Sequence, residues 1–274
     1  MTTARNTRPV LLATDLDGTL IPLAGAASDQ HALTLLADLL KRREMSLAFV
    51  TGRHFASVQN AIREHKLPLP DWILCDVGTS VFERNADGEF RPADRYAQKL
   101  NQIAGGVEQK TLLDIAASIP NVRPQESEKQ SQFKTSFYAS QECLDEVVLQ
   151  LGERLREVAA PYQIISSVDP FNGDGLIDLL PTGVSKAFAL EWLCREQSLS
   201  QRSVIFSGDS GNDLAAFNAG YNTVIVGNTA ASIVEQVRES HRNAGWSDRL
   251  YHASQQATSG VLEGVQHFLS RIVL

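Results

Sequence analysis

The sequence predicts an α/β protein in which a doubly wound parallel sheet is interrupted by a smaller α+β domain. From residue 10 to about residue 84, short apolar segments alternate with amphipathic helical segments, the order typical of a parallel sheet covered on both faces. From about residue 85 to residue 175 the pattern changes to helices combined with antiparallel strands. The first pattern then returns. We therefore predict a discontinuous, Rossmann-like core of residues 1–84 and 176–274, with an inserted cap domain of residues 85–175.

The strands of the first part of the core are apolar throughout, as strands buried on both faces are. They are predicted at residues 10–14, 47–50 and 72–75, with a hairpin partner at residues 80–84. Between them, two helices are indicated by apolar residues at helical spacing. These residues are Leu33, Leu36, Leu39 and Leu40 in the first helix and Phe55, Val58 and Ile62 in the second. Ser28 or Asp29 is the expected N-cap of the first helix.

The insert is predicted to contain two helices, around residues 112–119 and 144–158, and strands at residues 135–139 and 162–167. A further strand, residues 176–180, leads back into the core. There the pattern predicts a helix at 185–196, a strand at 204–207, a short helix at 213–219 and a strand at 223–226. A last helix begins at about Ser259.

Composition and charge exclude several classes of protein. The chain of 274 residues has 25 lysines and arginines against 32 aspartates and glutamates, a formal net charge of −7. Such an acidic chain is a poor binder of nucleic acid, because that binding depends on basic residues that displace counterions. The three cysteines are widely spaced and form no Cys-x-x-Cys pair, which argues against a disulfide framework or a zinc site.

The amino-terminal segment is polar, and the apolar run that follows is too short for a signal peptide or a membrane span. We expect a cytoplasmic protein without a membrane partner.

Two carboxylates, Asp15 and Asp17, directly follow the first predicted strand and precede Gly18. Their proximity calls for a divalent cation, a shared proton or divided roles. The alternative is a solvated turn, since aspartate and glycine both favour turns.

A second acidic pair, Asp209 and Asp213, follows another apolar strand. Here the alternative is helix capping by Asp209 or Asn212. A serine nucleophile elbow is excluded, because that motif needs glycine where Asn212 stands.

Two further segments can supply groups for phosphate. Thr51 and the backbone that follows it, at the end of the second strand, form a neutral cradle for phosphate oxygens. Lys186 begins a helix, where the helix dipole disfavours a cation. For Thr51 alone, the alternative is a turn that ends a strand; for Lys186 alone, it is a lysine exposed to solvent. Together with the two acidic pairs they provide a nucleophile, an acid/base group, cation ligands and phosphate-binding groups, the set that phosphoryl transfer requires.

In these four motifs and their order the chain resembles the haloacid dehalogenase (HAD) superfamily of aspartate-nucleophile phosphatases. The motifs are residues 15–19, Thr51, Lys186 and residues 208–213. Only 36 residues separate the first two motifs, whereas 135 separate Thr51 from Lys186. The resemblance therefore implies a cap inserted between the second and third motifs, covering the active site. Within the superfamily the chain is similar to the sucrose-phosphate phosphatase group, in segments 49–53, 75–79, 133–137, 178–181, 208–213 and 260–268.

The resemblance implies a mechanism and a metal. Asp15 is the nucleophile, Asp17 the general acid and base, and Thr51 and Lys186 complete the catalytic set. Mg²⁺ is expected at Asp15, the Asp17 carbonyl and Asp209, with Asp213 or Asn212 joined through water. The residues expected to bind substrate are Gly18, Thr51, Gly52, Arg53, Lys134, Ser136, Asp178, Lys186 and Asn212.

The expected substrate is a sugar phosphate, with sucrose-6-phosphate first. Mannosylfructose phosphate, glucosylglycerate-type phosphates and hexose phosphates remain open, because segment 170–175 is longer than the group's usual connection. A phosphomutase and a non-catalytic sugar-phosphate binding module are further alternatives. A monomer is expected, with association with a sugar-phosphate synthase as an additional possibility. Segment 260–268 has no catalytic role that the sequence explains.

Overall fold

A computed structural model of the protein describes residues 10–23, 29–168 and 173–271. Its contacts divide the chain into two compact units. The core unit comprises residues up to Gly78, Phe82–Arg91, and residues from Ser185 onward. The inserted unit comprises Thr79–Val81 and Pro92–Val184. The cap boundaries at residues 85 and 175 stay a prediction.

The described residues form twelve strands, numbered in chain order. They are β1 (Leu11–Thr14), β2 (Ser46–Val50), β3 (Trp72–Cys75), β4 (Ser80–Arg84), β5 (Phe90–Pro92), β6 (Arg123–Pro124), β7 (Thr135–Ala139), β8 (Tyr162–Val168), β9 (Gly175–Pro181), β10 (Val204–Gly208), β11 (Asn222–Ile225) and β12 (Leu250–His252).

The same residues form nine α-helices. They are α1 (Gln30–Arg42), α2 (Phe55–His65), α3 (Asp94–Ala104), α4 (Gln109–Ala117), α5 (Leu144–Glu157), α6 (Lys186–Glu196), α7 (Leu214–Phe217), α8 (Ala231–Asn243) and α9 (Ala257–Ser270).

The core unit is built on an eight-stranded sheet with the order β12-β11-β10-β1-β2-β3-β4-β5. The neighbours from β12 to β3 pair in parallel. On the central strand β1, Thr14 lies opposite Ser207 of β10 and Phe49 of β2. The carboxyl ends of these three strands therefore meet at one edge of the sheet, where open α/β sheets bind their ligands.

Helices cover both faces of this sheet, as the doubly wound prediction requires. Helices α1, α2 and α9 share one buried cluster with alternate strand residues such as Leu12, Leu47 and Ile205. Helices α6, α7 and α8 pack in series and contact β3, β10 and β12, respectively. The predicted fold class is confirmed. Asp29 caps α1, since its side chain accepts a hydrogen bond from the Ala32 N–H at 2.8 Å; Ser28 lies outside the described residues.

The inserted unit contains an antiparallel sheet with the order β6-β7-β9-β8. Helices α4 and α5 pack on each other, α4 contacts β6 and β7, and α5 contacts β8. Ser136 of β7 lies directly opposite Asp178 of β9, so their side chains share one face of the sheet.

Five elements were not predicted: α3, α8, β5, β6 and β12. The helices α3 and α8 are rich in charged and amide side chains and bury only three residues each, so they contain few apolar residues, although these stand at helical spacing. The three strands have two or three residues and lack a continuous apolar run.

No helix in the described part of the chain combines the length and the apolar character that crossing a membrane requires.

Candidate active site

Asp15 follows β1 at the centre of the sheet edge. Its backbone N–H donates to the Ser207 carbonyl at 2.9 Å, which continues the pairing of β1 with β10 by one residue. The hydroxyl of the preceding residue, Thr14, donates to the Asp15 carbonyl at 2.8 Å. The Asp15 side chain is buried. Its position is therefore fixed by the sheet and not by a flexible loop.

Lys186, the first residue of α6, is the buried cation of the site. Only 2% of its side chain is exposed, and its ammonium group donates three hydrogen bonds. The acceptors are Asp15 Oδ1 at 2.8 Å, Asn212 Oδ1 at 2.9 Å and Asp213 Oδ1 at 2.9 Å. One lysine thus joins the residue after β1 to the segment after β10, which lie far apart in sequence. The predicted third and fourth motifs meet the first at this atom.

The charges of this cluster shift one another's pKa values. Burial lowers the pKa of Lys186, but the carboxylates of Asp15 and Asp213 outweigh it and raise that pKa above its ordinary value. Burial raises the pKa of Asp15, Lys186 opposes the rise, and the nearby charges of Asp213 and Asp209 add to it. The net direction for Asp15 is upward. Three carboxylates, those of Asp15, Asp209 and Asp213, thus lie around the one cation of Lys186.

Asp213 is fully buried, and both of its carboxylate oxygens accept hydrogen bonds. Oδ1 accepts from Lys186, and Oδ2 accepts from the backbone N–H groups of Asp209 and Ser210, at 3.2 and 3.3 Å. Ser210 and Asp213 form a capping box. Neither Asp209 nor Asn212 is therefore the capping residue: Ser210 is the N-cap of the 3-10 turn Gly211–Asp213, which leads into α7, and Asp213 completes this cap.

Asp209 lies against the loop that carries the first motif, residues 15–21, here called the Asp15 loop. The Thr19 hydroxyl donates to Asp209 Oδ1 at 3.3 Å. Gly18 has a φ of +77°, and a Cβ there would lie 2.3 Å from Asp209 Oδ2. Burial and the charge of Asp213 raise the pKa of Asp209 to about 6. The glycine is thus required both by its backbone conformation and by the carboxylate beside it.

Asp15, Asp209 and Asp213 form a candidate metal centre. One carboxylate oxygen from each residue lies within 4.8 Å of the other two. Three carboxylates with one buried lysine leave an excess of negative charge, and oxygen ligands of this kind suit a hard divalent cation. The donor set of the described residues therefore fits Mg²⁺.

Asp17 is bound by Arg53. The guanidinium Nε and Nη2 donate to its two carboxylate oxygens at 2.7 and 2.6 Å. Half of the Asp17 side chain is exposed. Hydrogen bonding to Asp17 raises the pKa of Arg53, although burial opposes the rise. Asp17 is thus accessible and held in one orientation.

Thr51 and Gly52 follow β2. The buried Thr51 hydroxyl accepts from the Arg53 N–H at 3.2 Å, and the Thr51 carbonyl accepts from the Val77 N–H at 3.3 Å. Val77 belongs to the turn Asp76–Gly78 and has a φ of +59°, a strained conformation for a β-branched residue. In the same turn, a Cβ on Gly78 would lie 2.2 Å from the Ser185 carbonyl. The turn therefore packs against the residue that precedes Lys186.

The inserted unit gathers the three predicted sugar-binding residues in a cluster of its own. The Ser136 hydroxyl donates to Asp178 Oδ1 at 2.5 Å, and the Lys134 ammonium lies 3.9 Å from the same oxygen. The Gln130 side chain accepts from the Ser136 N–H and donates to its carbonyl, both at 2.8 Å. Lys134 and Ser136 are buried. In this cluster the Lys134 ammonium and the Asp178 carboxylate form an ion pair, and the uncharged side chains of Ser136 and Gln130 are hydrogen bonded around it.

Comparison with known proteins agrees with the motif pattern. The family model for sucrose-6F-phosphate phosphohydrolase matches residues 8–269. The chain belongs to this family. It is accordingly a HAD-superfamily phosphoric monoester hydrolase, as predicted.

The relatives of this chain are named for different activities. A protein of Nitrosococcus oceani named as a HAD-like hydrolase is 36% identical, over 94% of this chain and 71% of the relative. The mannosylfructose-phosphate phosphatase of Agrobacterium fabrum is 29% identical, over 94% of this chain and 96% of the relative. The crystal structure of a Synechocystis sucrose-phosphatase in complex with sucrose and phosphate superposes with a TM-score of 0.73. It is 28% identical and covers 96% of this chain and 98% of that one.

Three residues that contact predicted site residues, two in the core unit and one in the inserted unit, were not themselves predicted. Thr19 contacts Asp209, and Ser210 caps the turn that carries Asp213. The Gln130 side chain forms hydrogen bonds with the backbone of Ser136. Thr19 and Ser210 lie within predicted motifs, and the pattern Ser-x-x-Asp at residues 210–213 is a usable capping signal. Gln130 stands in a polar segment without any such signal.

Proposed function

We propose that the protein is a Mg²⁺-dependent phosphatase that hydrolyses a sugar phosphate monoester through an aspartyl-phosphate, with sucrose-6-phosphate as its first substrate. The observation that carries this proposal is the buried contact of Lys186 with Asp15 and Asp213 at the carboxyl edge of the sheet. This contact supports the assignment of Asp15 as the nucleophile, because its carboxylate lies beside a fixed positive charge and phosphoryl transfer requires both groups.

In the first step, a carboxylate oxygen of Asp15 attacks the phosphorus in line. The bond from phosphorus to the sugar oxygen breaks as the bond from Asp15 to phosphorus forms. Asp17 donates its proton to the departing sugar oxygen. Before this step Asp17 carries the proton, and its protonated oxygen does not accept a hydrogen bond from Arg53. As the proton leaves, this second bond between Arg53 and Asp17 forms.

In the second step, Asp17 takes a proton from water, and the water oxygen attacks phosphorus. The bond from phosphorus to Asp15 breaks, which releases inorganic phosphate and restores the Asp15 carboxylate. The exposure of Asp17 supports this role, since the same carboxyl group must reach first the sugar oxygen and then a solvent molecule.

The non-reacting phosphoryl oxygens are bound by Thr51, by the Gly52 N–H and by Lys186. In the free protein Lys186 donates to Asp15, Asn212 and Asp213, so a phosphoryl oxygen takes over one of these bonds. Donors fixed in place before the reaction stabilise charge that develops on phosphate without a cost of reorganisation.

Mg²⁺ would be held by Asp15, the backbone carbonyl of Asp17 and Asp209, with Asp213 or Asn212 joined through water. When bound, the ion neutralises charge on the carboxylates and on the phosphate. The excess of carboxylates over cations in the cluster supports this assignment.

Two sugar phosphates are favoured by the relatives. The structure of the Synechocystis relative is described as a complex with sucrose and phosphate, and the Agrobacterium relative is named for mannosylfructose phosphate. We assign sugar recognition to Lys134, Ser136 and Asp178 in the inserted unit, which we propose is the cap domain of the enzyme. A monomeric state and association with a synthase stay predictions.

The proposal is tested by phosphate release across sucrose-6-phosphate, mannosylfructose phosphate and hexose phosphates, with and without Mg²⁺. We expect turnover that a chelator abolishes and Mg²⁺ restores, with sucrose-6-phosphate the best substrate. Asp15→Asn is expected to lower turnover by at least about a thousandfold with an unchanged circular dichroism spectrum. Chelator-resistant turnover, or an active Asp15→Asn variant, would contradict the proposal, and transfer of phosphate within a sugar without its release would indicate a phosphomutase.

A further inference from the structure

Segment 260–268 forms most of α9, and two of its glycines bring that helix unusually close to β11. A Cβ on Gly264 would lie 2.4 Å from both methyl carbons of Val224. A Cβ on Gly260 would lie 2.3 Å from the Gln255 carbonyl oxygen and 3.1 Å from Val226. Because side chains at these positions do not fit, the distance between helix and strand is set by the glycines. The amino terminus of α9 is thereby fixed relative to the sheet.

Glu263 fixes the segment that leads into the same helix. Its carboxylate accepts hydrogen bonds from the Tyr251 hydroxyl at 2.7 Å and from the Gln255 N–H at 2.9 Å. The Ser254 N–H and hydroxyl also donate to it, each at 3.1 Å. The Gln255 carbonyl in turn accepts from the Gly227 N–H at 2.8 Å. The residues on both sides of the start of α9 are therefore tied to β11 and β12.

The start of α9 binds the Asp15 loop. The Thr258 hydroxyl, which is buried, donates to the Leu20 carbonyl at 2.7 Å. The Asn228 side chain donates to the Gly18 carbonyl at 2.8 Å and accepts from the Ala257 N–H at 2.9 Å. Ala257 has a φ of +43°, a strained conformation that the bonds around it must maintain. Two side chains from the carboxyl-terminal part of the chain thus hold two carbonyls of the loop.

The held part of the loop is the part that meets the candidate metal ligands. Gly18 directly follows Asp17, whose carbonyl is a proposed ligand. Gly18 lies against Asp209 Oδ2, and Thr19, between the two held carbonyls, donates to Asp209 Oδ1. A shift of the Gly18 or Leu20 peptide would therefore move the Asp17 carbonyl and the Asp209 carboxylate together.

We infer that Thr258 and Asn228 are positioning residues of the active site, which set the Asp15 loop for binding of the divalent cation and for attack by Asp15. Neither residue contacts the reacting atoms. The inference rests on the proposed function, because it assigns these residues to the cation and the nucleophile of that mechanism. The inference explains segment 260–268 as a positioning element. Gly260, Gly264 and Glu263 set the position of α9, the helix that carries Thr258.

The test uses the full chain with Thr258→Val, a substitution of nearly equal volume that removes only the hydroxyl. Mg²⁺ binding is measured by calorimetry, and turnover at saturating Mg²⁺ with the best substrate of the panel. We expect the Mg²⁺ affinity to fall about fivefold or more, the value of one buried hydrogen bond. At saturating Mg²⁺, kcat is expected to fall about tenfold with little change in KM. Thr258→Ser, which keeps the hydroxyl, should restore both.

The matched control is Thr223→Val, which removes another buried hydroxyl that donates to backbone carbonyls, those of Phe217 and Tyr221, and not to the Asp15 loop. It should leave Mg²⁺ affinity and kcat unchanged. Asn228→Ala should lower both and provides a second test if Thr258→Val does not fold. Unchanged Mg²⁺ affinity and kcat in folded Thr258→Val and Asn228→Ala would overturn the inference while the parent remained active. A parent that releases no phosphate would instead refute the proposed function, and its Mg²⁺ titration against the variants would still decide the positioning role.

Discussion

The guanidinium group of Arg53 binds both carboxylate oxygens of Asp17, at 2.6 and 2.7 Å, across 36 positions of the chain. This two-point contact fixes the plane of the carboxyl group as well as its position. The residue after Thr51-Gly52 therefore aligns the proposed acid and base. The proposed phosphate binding and the proposed proton transfer therefore both depend on one short segment after β2.

Replacement of Arg53 by lysine tests whether Asp17 needs only a nearby positive charge or also the fixed orientation that two parallel hydrogen bonds give it. Arg53→Lys keeps a cation but cannot form the two parallel bonds, so Asp17 loses its fixed orientation. We expect kcat to fall about tenfold or more, with Mg²⁺ affinity unchanged. The matched control is Arg84→Lys, because Arg84 pairs with Asp71 at 2.6 Å at another place in the core unit. Equal kcat values for Arg53→Lys and the parent would contradict the role assigned to Arg53.

Removal of the Lys186 charge should destabilise the metal-free protein. Lys186→Met keeps much of the side-chain volume but leaves the buried carboxylates of Asp15 and Asp213 without their cation. Loss of one partner from a buried ion pair costs about 3–5 kcal/mol of unfolding free energy. Denaturant unfolding measures this loss, and Mg²⁺ should stabilise the variant more than it stabilises the parent. A variant as stable as the parent without metal would show that the cluster is not ionised as described.

Glu263 should give the protein a pH-dependent stability. Burial raises the pKa of Glu263, but its bonds from Tyr251, Ser254 and Gln255 outweigh this and lower it below the ordinary value of 4.5. A folded-state pKa below the unfolded one adds stability above pH 4.5, and this stability is lost as the pH falls through the folded-state pKa.

Glu263→Gln should therefore cost about 1 kcal/mol near neutral pH, a small value because solvent screens this site. The difference from the parent should shrink below about pH 4. Thermal unfolding over this pH range measures it, with Glu239→Gln in the exposed face of α8 as control. A difference independent of pH would assign the effect to shape instead of charge.

Thiol reactivity should distinguish the three cysteines. Cys75 is buried at the end of β3, and burial raises the pKa of Cys194 to about 11. Cys143 is partly exposed. Since the thiolate is the reactive form, we expect about one fast equivalent with Ellman's reagent in the native protein. All three should react after denaturation, and Cys143→Ser should remove the fast phase. Rapid reaction of a second thiol would show that the core opens near Cys75 or Cys194.

The parts of the fold that follow from sequence are those with strong apolar periodicity. Strands β3 and β7 begin and end at the predicted residues, because a short buried strand is bounded sharply by polar residues and glycine. Helices α3 and α8 contain few apolar residues among many charged and amide side chains, so their helical spacing was overlooked. Their helical structure depends on packing against the remainder of their units, which local sequence does not record.

The site residues with assigned chemistry were predictable because parallel strands bring their carboxyl ends to one edge. Asp15 and Asp209 follow from that rule and from residue type, and Lys186 follows from its position at the start of a helix. The partner of Asp17 was not predictable as such, since Arg53 was assigned to substrate. Thr258 and Asn228 were also beyond prediction. Their bonds to Leu20 and Gly18 span 238 and 210 positions, and only the packing of α9 reveals them.

Gly18 leaves no space for a side chain, and this offers a way to sort relatives by inspection. Any other residue at this position would displace the Asp209 carboxylate, because a Cβ would come within 2.3 Å of its oxygen. If the proposed cation site is right, a homologue without this glycine should bind Mg²⁺ weakly or hold it with a differently placed carboxylate. The residue at this one position is then expected to separate active from inactive relatives.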